Sequence, residues 1–215
     1  LSEPPLPMGL TIGENGSIFG TPIHVGDSNH TITASNDGGS SSANLRVIVI
    51  HAPPHSLTYE SLEFTFSIGE PIILPPTISG GVASSWNVQP ALPAGLSIGI
   101  TGVISGSPEN LQDPVPYTVT AENSGGSVQS TFFLEILDLP VWDLEYSQRL
   151  FDLTMGDQVS EARPNWGGGN PTSWQVYPPL PSGFSLNQTN GAISGTASEL
   201  QGWSNHTIWA NNSGG

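Results

Sequence analysis

The chain has no cysteine and no lysine among its 215 residues. The first absence excludes disulfides and thiolate sites outright. It leaves the compartment open, because disulfides are common outside cells but not obligatory. The second absence leaves Arg46, Arg149 and Arg163 as the only strong cations against 18 Asp plus Glu, a formal charge of −15. A nucleic-acid binder needs a basic stripe to neutralise phosphates, and three scattered arginines cannot form one. Anionic membrane surfaces are disfavoured for the same reason. No apolar run approaches the roughly 18 residues of a membrane helix, so membrane insertion is not expected. No stretch shows helical periodicity. No signal peptide is visible at Leu1 and the chain begins without Met, which reads as a mature or cut-out segment. Catalytic patterns are missing too: there is no HExxH, no Cys–His pair and no P-loop. Ser105 in Gly-Val-Ile-Ser-Gly lacks the spacing and the strand-to-helix context of a nucleophile elbow. Nothing marks a pair of carboxylates as a glycosidase would need. The expectation is a chain that is not an enzyme.

Turn formers are abundant instead. Gly (26) and Pro (20) together make about a fifth of the residues, which suits many short strands joined by many turns. The order of these residues repeats. Leu6-Pro7-Met8-Gly9-Leu10 recurs as Leu92-Pro93-Ala94-Gly95-Leu96 and as Leu180-Pro181-Ser182-Gly183-Phe184. Each copy leads to a similar turn and strand: Gly16 to Thr21, Gly102 to Ser107 and Gly191 to Thr196. An alternating strand follows in each (His30–Ala34, Tyr117–Ala121, His206–Ala210). The turns after it are Asn36-Asp37-Gly38-Gly39, Asn123-Ser124-Gly125-Gly126 and Asn212-Ser213-Gly214-Gly215. Tyr59 matches Tyr146, Gly69 matches Gly156, and Ser85-Trp86 matches Ser173-Trp174.

A fixed period of this size means tandem structural units. Residues 1–50 read as the back part of one unit, 51–137 as a complete unit and 138–215 as a unit without its last strand. The complete unit predicts about seven short strands with turn signals every 8–12 residues, the pattern of an antiparallel β-sandwich. In its final strand Val128, Ser130, Phe132, Leu134 and Ile136 share one face, and Phe133 breaks the polar pattern of the other. The first unit's inward positions are Ser41, Ala43, Leu45, Val47 and Val49. The units at both ends lack strands that the central unit has. Either the chain continues at both ends, or a neighbouring subunit fills the gap by β-strand addition. Continuation is favoured, since no segment is a spare donor strand.

The strings from Leu92 to Gly106 and from Tyr117 to Ser127 resemble the "Putative Ig domain" repeats, which are similar to dystroglycan-type cadherin-like domains. The resemblance covers the whole chain. It implies an all-β fold of tandem Ig-like or cadherin-like antiparallel sandwiches of about 87 residues, as in large bacterial and archaeal surface proteins. It implies no catalytic residue to carry over; no cofactor is expected, with Ca²⁺ the one alternative. Cadherins hold calcium between domains with acidic runs, and the junctions here are Ile50-His51-Ala52-Pro53-Pro54 and Leu137-Asp138-Leu139-Pro140. Neither by itself offers ligands for a six- to eight-coordinate Ca²⁺.

Fold resemblance says little about function, so the remaining signals are individual residues. His51 and His55 fall in a Pro-rich linker. His30 and His206 occupy the slot of Tyr117 and read as half-buried, hydrogen-bonded positions. Trp86 and Trp174 read as equivalent core residues. Trp166, Trp203 and Trp209 occur in the third unit only and are candidate contact surfaces for a subunit or a sugar. Trp166 is placed in a flexible loop, and Trp209 on the outward parity of its strand. Glycosylation sequons start at Asn15, Asn29, Asn187, Asn205 and Asn211. Asn29, Asn205 and Asn211 have outward parity; Asn15 and Asn187 fall in or near turns. These features predict a structural or adhesive segment of an extracellular surface-layer, stalk, filament or adhesin protein. Its partners would be its own kind, neighbouring repeats, or glycans. The alternative is a carbohydrate-binding module that uses the third unit's tryptophans.

Overall fold

The computed structural model describes residues 1–215, and every regular element in it is a β-strand. Strand pairings fall into three groups with none between them: residues 2–49, 54–137 and 141–211. The alternating segments seen in the sequence become strands because each has one apolar row to bury and one polar row to leave in water.

The central group is the fullest. Its main sheet runs Ser85–Gln89, Gln112–Asn123, Gly126–Leu137, Glu63–Ser67 in spatial order. A second sheet runs Leu96–Ile98, Ile104–Gly106, Ile72–Leu74, and Pro54–Thr58 pairs with Thr77–Gly80. The long hairpin 112–137 supplies Tyr117, Val119, Ala121, Phe132, Leu134 and Ile136 to the core, where Leu57, Tyr59, Ile72, Leu74 and Ile104 meet them. The ring of Phe132 packs edge-on against Tyr59 at 5.2 Å and Phe64 at 5.5 Å. Phe133 points out, 44% exposed, as its parity requires.

Two details differ from the sequence reading. Nine strands form between Pro54 and Leu137, not seven. Pro75-Pro76 separates Ile72–Leu74 from Thr77–Gly80, because proline cannot donate to a ladder. Pro54–Thr58 and Glu63–Ser67 likewise join different sheets. One of them, Glu63–Ser67, lies parallel to Gly126–Leu137, so the sandwich is not wholly antiparallel.

The repeated Leu-Pro-x-Gly motif is a turn. It is closed by the amide of the residue after Gly donating to the Pro carbonyl: Leu10 to Pro7 at 3.0 Å, Leu96 to Pro93 at 3.0 Å, Phe184 to Pro181 at 3.1 Å. Its glycine is obligatory. Gly95 has φ +89°, and a Cβ there would lie 1.9 Å from the carbonyl oxygen of Ser107.

The first group is a hairpin of Gly26–Asn36 and Gly39–Val49 plus three short strands, Ser2–Glu3, Leu10–Ile12 and Ile18–Gly20. Its inward row is only partly covered: Leu45, Val47 and Val49 are half-buried, whereas Ser41 and Ala43 are exposed. The other sheet of this group is just two strands of three residues each. In the third group Val141–Tyr146 pairs with Pro164–Gly168, and Ser173–Tyr177 with Thr207–Asn211. Ile193–Thr196 lies between Gln158–Ala162 and Phe184–Leu186.

Trp86 and Trp174 occupy equivalent places. Each indole covers the backbone of a turn glycine, Gly102 and Gly191 respectively. Trp174 is 1% exposed, and Trp166 packs edge-on against it at 5.6 Å. Trp86 is half-buried. Trp174→Ala should therefore cost about 3–5 kcal/mol, and Trp86→Ala clearly less. Denaturant unfolding of the two variants checks the order, and an equal loss would contradict it.

Candidate functional site

The repeat-equivalent polar contacts are of three kinds, and all fasten the chain to itself. The first is a phenol lock. Tyr59 donates its hydroxyl to the carbonyl of Gly102, and Tyr146 does the same to Gly191. Burial pushes both phenols up to about 12.

The second is a histidine tie. The Nδ1 of His30 is 2.9 Å from the Pro4 carbonyl and its Nε2 is 2.7 Å from Ser28 Oγ. His206 repeats this with Pro178 at 2.9 Å and Ser204 at 2.8 Å. A carbonyl only accepts, so Nδ1 carries a proton and donates to it, and Nε2 pairs with the serine hydroxyl, which can serve as either partner. Both ring nitrogens are thus satisfied, which burial of an imidazole requires. His30 is 2% exposed and His206 half-buried. In the central group the matching pair is Val115 and Tyr117, and Tyr117 donates to Gln112 Oε1 instead.

The third is a junction clamp made by the Asn-Ser-Gly-Gly turn. Asn123 Nδ2 donates to the Ala52 carbonyl at 2.8 Å and to Val82 at 3.0 Å. Ser124 Oγ accepts from the His51 amide at 3.1 Å. The second junction repeats it: Asn212 Nδ2 donates to Leu139, and Ser213 Oγ accepts from the Asp138 amide. A Cβ on Gly125 would lie 2.0 Å from the His51 carbonyl oxygen, so only glycine lets the linker pass. The turn residues that mark the repeat in the sequence thus also hold the segment that enters each group. His51 belongs to this clamp, whereas His55 lies on the strand Pro54–Thr58 rather than in a linker.

A family model described as "Putative Ig domain" matches residues 1–50 and 46–136. The chain belongs to this family. Among solved structures, it is similar to the I-band fragment I67–I69 from titin at 18% identity and TM-score 0.48, over 97% of this chain and 78% of that one. It is similar to Sidekick-1 immunoglobulin domains 1–5 at 17% identity and TM-score 0.40, over 96% and 47%. It is similar to mouse protocadherin-24 EC1–3 at 18% identity and TM-score 0.30, over 88% and 74%. No curated protein matches it.

On this Ig-domain chain the tryptophans separate. Trp166 is half-buried on the strand Pro164–Gly168 and turned onto Trp174, not in a flexible loop as its Gly-rich surroundings suggested. Trp203 is 76% exposed in a segment outside any strand, and Trp209 is 43% exposed on an outer sheet face. The five sequon asparagines are spread over the surface. Asn29, Asn205, Asn15 and Asn187 are exposed, and Asn211 is half-buried. Asn15 and Asn187 each use their side-chain oxygen to cap a turn.

No group of three or more His, Cys, Asp or Glu side chains is placed to hold a metal ion. All three arginines are paired with carboxylates: Arg46 with Asp27, Arg149 with Glu145 at 2.6 Å, Arg163 with Glu161 at 2.8 Å. A groove of about 790 Å³, lined equally by apolar and polar side chains, runs through the third group beside Tyr146, Phe151, Leu153, Phe184 and Ile208. In the central group the matching Tyr59 and Phe64 pack on Phe132.

The phenol locks give a pH dependence with a definite sign. An acid whose folded pKa is raised stabilises the fold fully below its unfolded value, and the contribution is lost as pH rises through the folded value. Stability should hold to about pH 10 and fall toward about 12. Ultraviolet titration should show a late tyrosinate phase that the Tyr59→Phe, Tyr146→Phe double variant lacks. An unchanged titration in that variant would remove the assignment.

Outward placement of Asn29 and Asn205 exposes both sequons to a transferase. Native material should carry glycan on at least one of Asn29, Asn205 and Asn211. Intact-mass analysis of the native segment should exceed the bare 22.5 kDa, and a mass equal to it would refute the expectation.

Proposed function

We propose that the chain is a structural or adhesive segment of an extracellular, cell-surface protein, and that it acts by spacing and attachment rather than by catalysis. Its units would be residues 1–50, 51–137 and 138–215. The observation that carries this reading is the repeated junction clamp. A hinge would leave its linker free, whereas these linkers are pinned to the unit they enter by side-chain hydrogen bonds and backbone contact. The parallel pairing of Glu63–Ser67 with Gly126–Leu137 supports a load-bearing role. It places the first and last parts of the unit side by side, so tension along the chain would load their hydrogen bonds together. Lone junctions are otherwise flexible, as inter-domain linkers generally are.

The partners in this reading are neighbouring repeats or subunits. Their support is the tandem arrangement itself, in which each unit is clamped to the segment that leads into it.

Two measurements test the proposal. Antibody raised against residues 51–137 should label intact, unpermeabilised cells of the source organism, and label found only after permeabilisation would reject the surface location. Single-molecule pulling on the central unit should give a resolved unfolding peak that Thr65→Pro lowers, because proline removes ladder bonds. A featureless extension would reject the load-bearing role.

A further inference from the structure

The two-stranded sheet of the third group has an outer face unlike those of the other groups. Ser173, Gln175 and Tyr177 point outward from one strand, and Thr207, Trp209 and Asn211 from the other. The register sets Gln175 opposite Trp209, Tyr177 opposite Thr207 and Ser173 opposite Asn211. Tyr177 and Trp209 are therefore diagonal neighbours, about 7–8 Å apart and within mutual reach of their rings. Tyr177 is 70% and Trp209 43% exposed. The face is held from beneath. Trp174 is buried on the inner side of the first strand, and His206 grips the Pro178 carbonyl directly after Tyr177.

The contrast with the equivalent faces is chemical. Thr33 and Thr120 stand where Trp209 does, and Gln89 stands where Tyr177 does. On the central face Ser85 stands opposite Glu122 and bonds its carboxylate, whereas in the third group Ser173 stands opposite the neutral Asn211. Two aromatic rings there stand among hydroxyl and amide groups, with no charge on the face.

We propose that this face binds a neutral polysaccharide. One face of a pyranose ring is a set of C–H groups that stacks on an aromatic ring, and its rim is hydroxyls that both donate and accept. Gln175 and Asn211 amides and the Ser173 and Thr207 hydroxyls supply both functions beside the rings. An acidic or sulfated glycan is excluded by charge: every arginine is already paired, there is no lysine, and the chain carries −15. A stable protein interface takes about 20–30 residues a side, far more than this strip offers. The site is independent of the load-bearing role, so the tests of the two fail separately.

The test is affinity electrophoresis of the full chain, made without glycosylation so that Asn205 and Asn211 are bare. Native gels would contain hydroxyethylcellulose, glucomannan, xylan, laminarin or galactan, with carboxymethylcellulose and heparin as the anionic set. At least one neutral polymer should retard the protein. Trp209→Ala should weaken that binding roughly tenfold and Tyr177→Ala by a smaller factor, with the circular dichroism and melting of both variants unchanged. Should Trp209→Ala misfold, Tyr177→Ala and Gln175→Ala decide the matter. No retardation by any neutral polymer, equal retardation of the folded variants, or retardation by the anionic set alone would overturn the proposal. So would concentration-dependent oligomers that Trp209→Ala abolishes, since the face would then serve a protein partner.

Discussion

The contact on which the central unit depends is that of Phe132 with the rings around it. Phe132 lies near the middle of the long hairpin and meets Tyr59, Phe64 and Tyr117. Tyr117 and Phe64 come from the two strands that flank its own, and Tyr59 from the segment just after Pro54–Thr58, so one side chain ties three strands of the main sheet to the entering segment. Burial of a large apolar side chain contributes about 1.5–3 kcal/mol, and close packing makes its neighbours sensitive to its shape. With Phe132 in place, Leu134 and Ile136 are carried inward by strand alternation and Tyr59 is held where its hydroxyl reaches Gly102. The same phenol lock forms at Tyr146 and Gly191, so it belongs to the repeat, and the aromatic contact reinforces it in the central unit.

The junctions show how a turn can serve two ends of the chain. Asn-Ser-Gly-Gly closes a hairpin, with Asn123 paired to Gly126. Its Asn side chain also accepts from the Gly125 amide, which shapes the turn, and donates to the linker. Neutral amide and hydroxyl groups make both of these contacts, so the junction bonds involve no charged side chain.

Variation among the repeats reaches both rows of the sheets. In the inner row Ser41 stands where Val128 does, and Ser28 with His30 replaces Val115 with Tyr117 as a hydrogen-bonded pair. The outer row is free to change from threonine to tryptophan because nothing packs on it. New chemistry in a repeat protein arises most readily at such positions, where a substitution changes what the surface meets without disturbing the core.

The period, the strand parity and the burial of Trp174 follow from the order of residues alone. Alternation and turn chemistry are properties of neighbours in the chain, and spacing to the Leu-Pro turn places an equivalent residue in an equivalent setting. The histidine slot was legible for the same reason, though not the serine and carbonyl that satisfy it. Other features were decided by tertiary structure. The parallel pairing of Glu63–Ser67 depends on which edges meet across about 70 residues of chain. Trp166 looked like a loop residue because glycines surround it, yet sheet pairing made that stretch a strand and Trp174 gave its ring a partner. Tyr177 gave no signal before its strand was paired, because only the register with Thr207–Asn211 sets it beside Trp209. Local order in a sequence records what a residue's chain neighbours require. Long-range pairing alone determines which residues share a face.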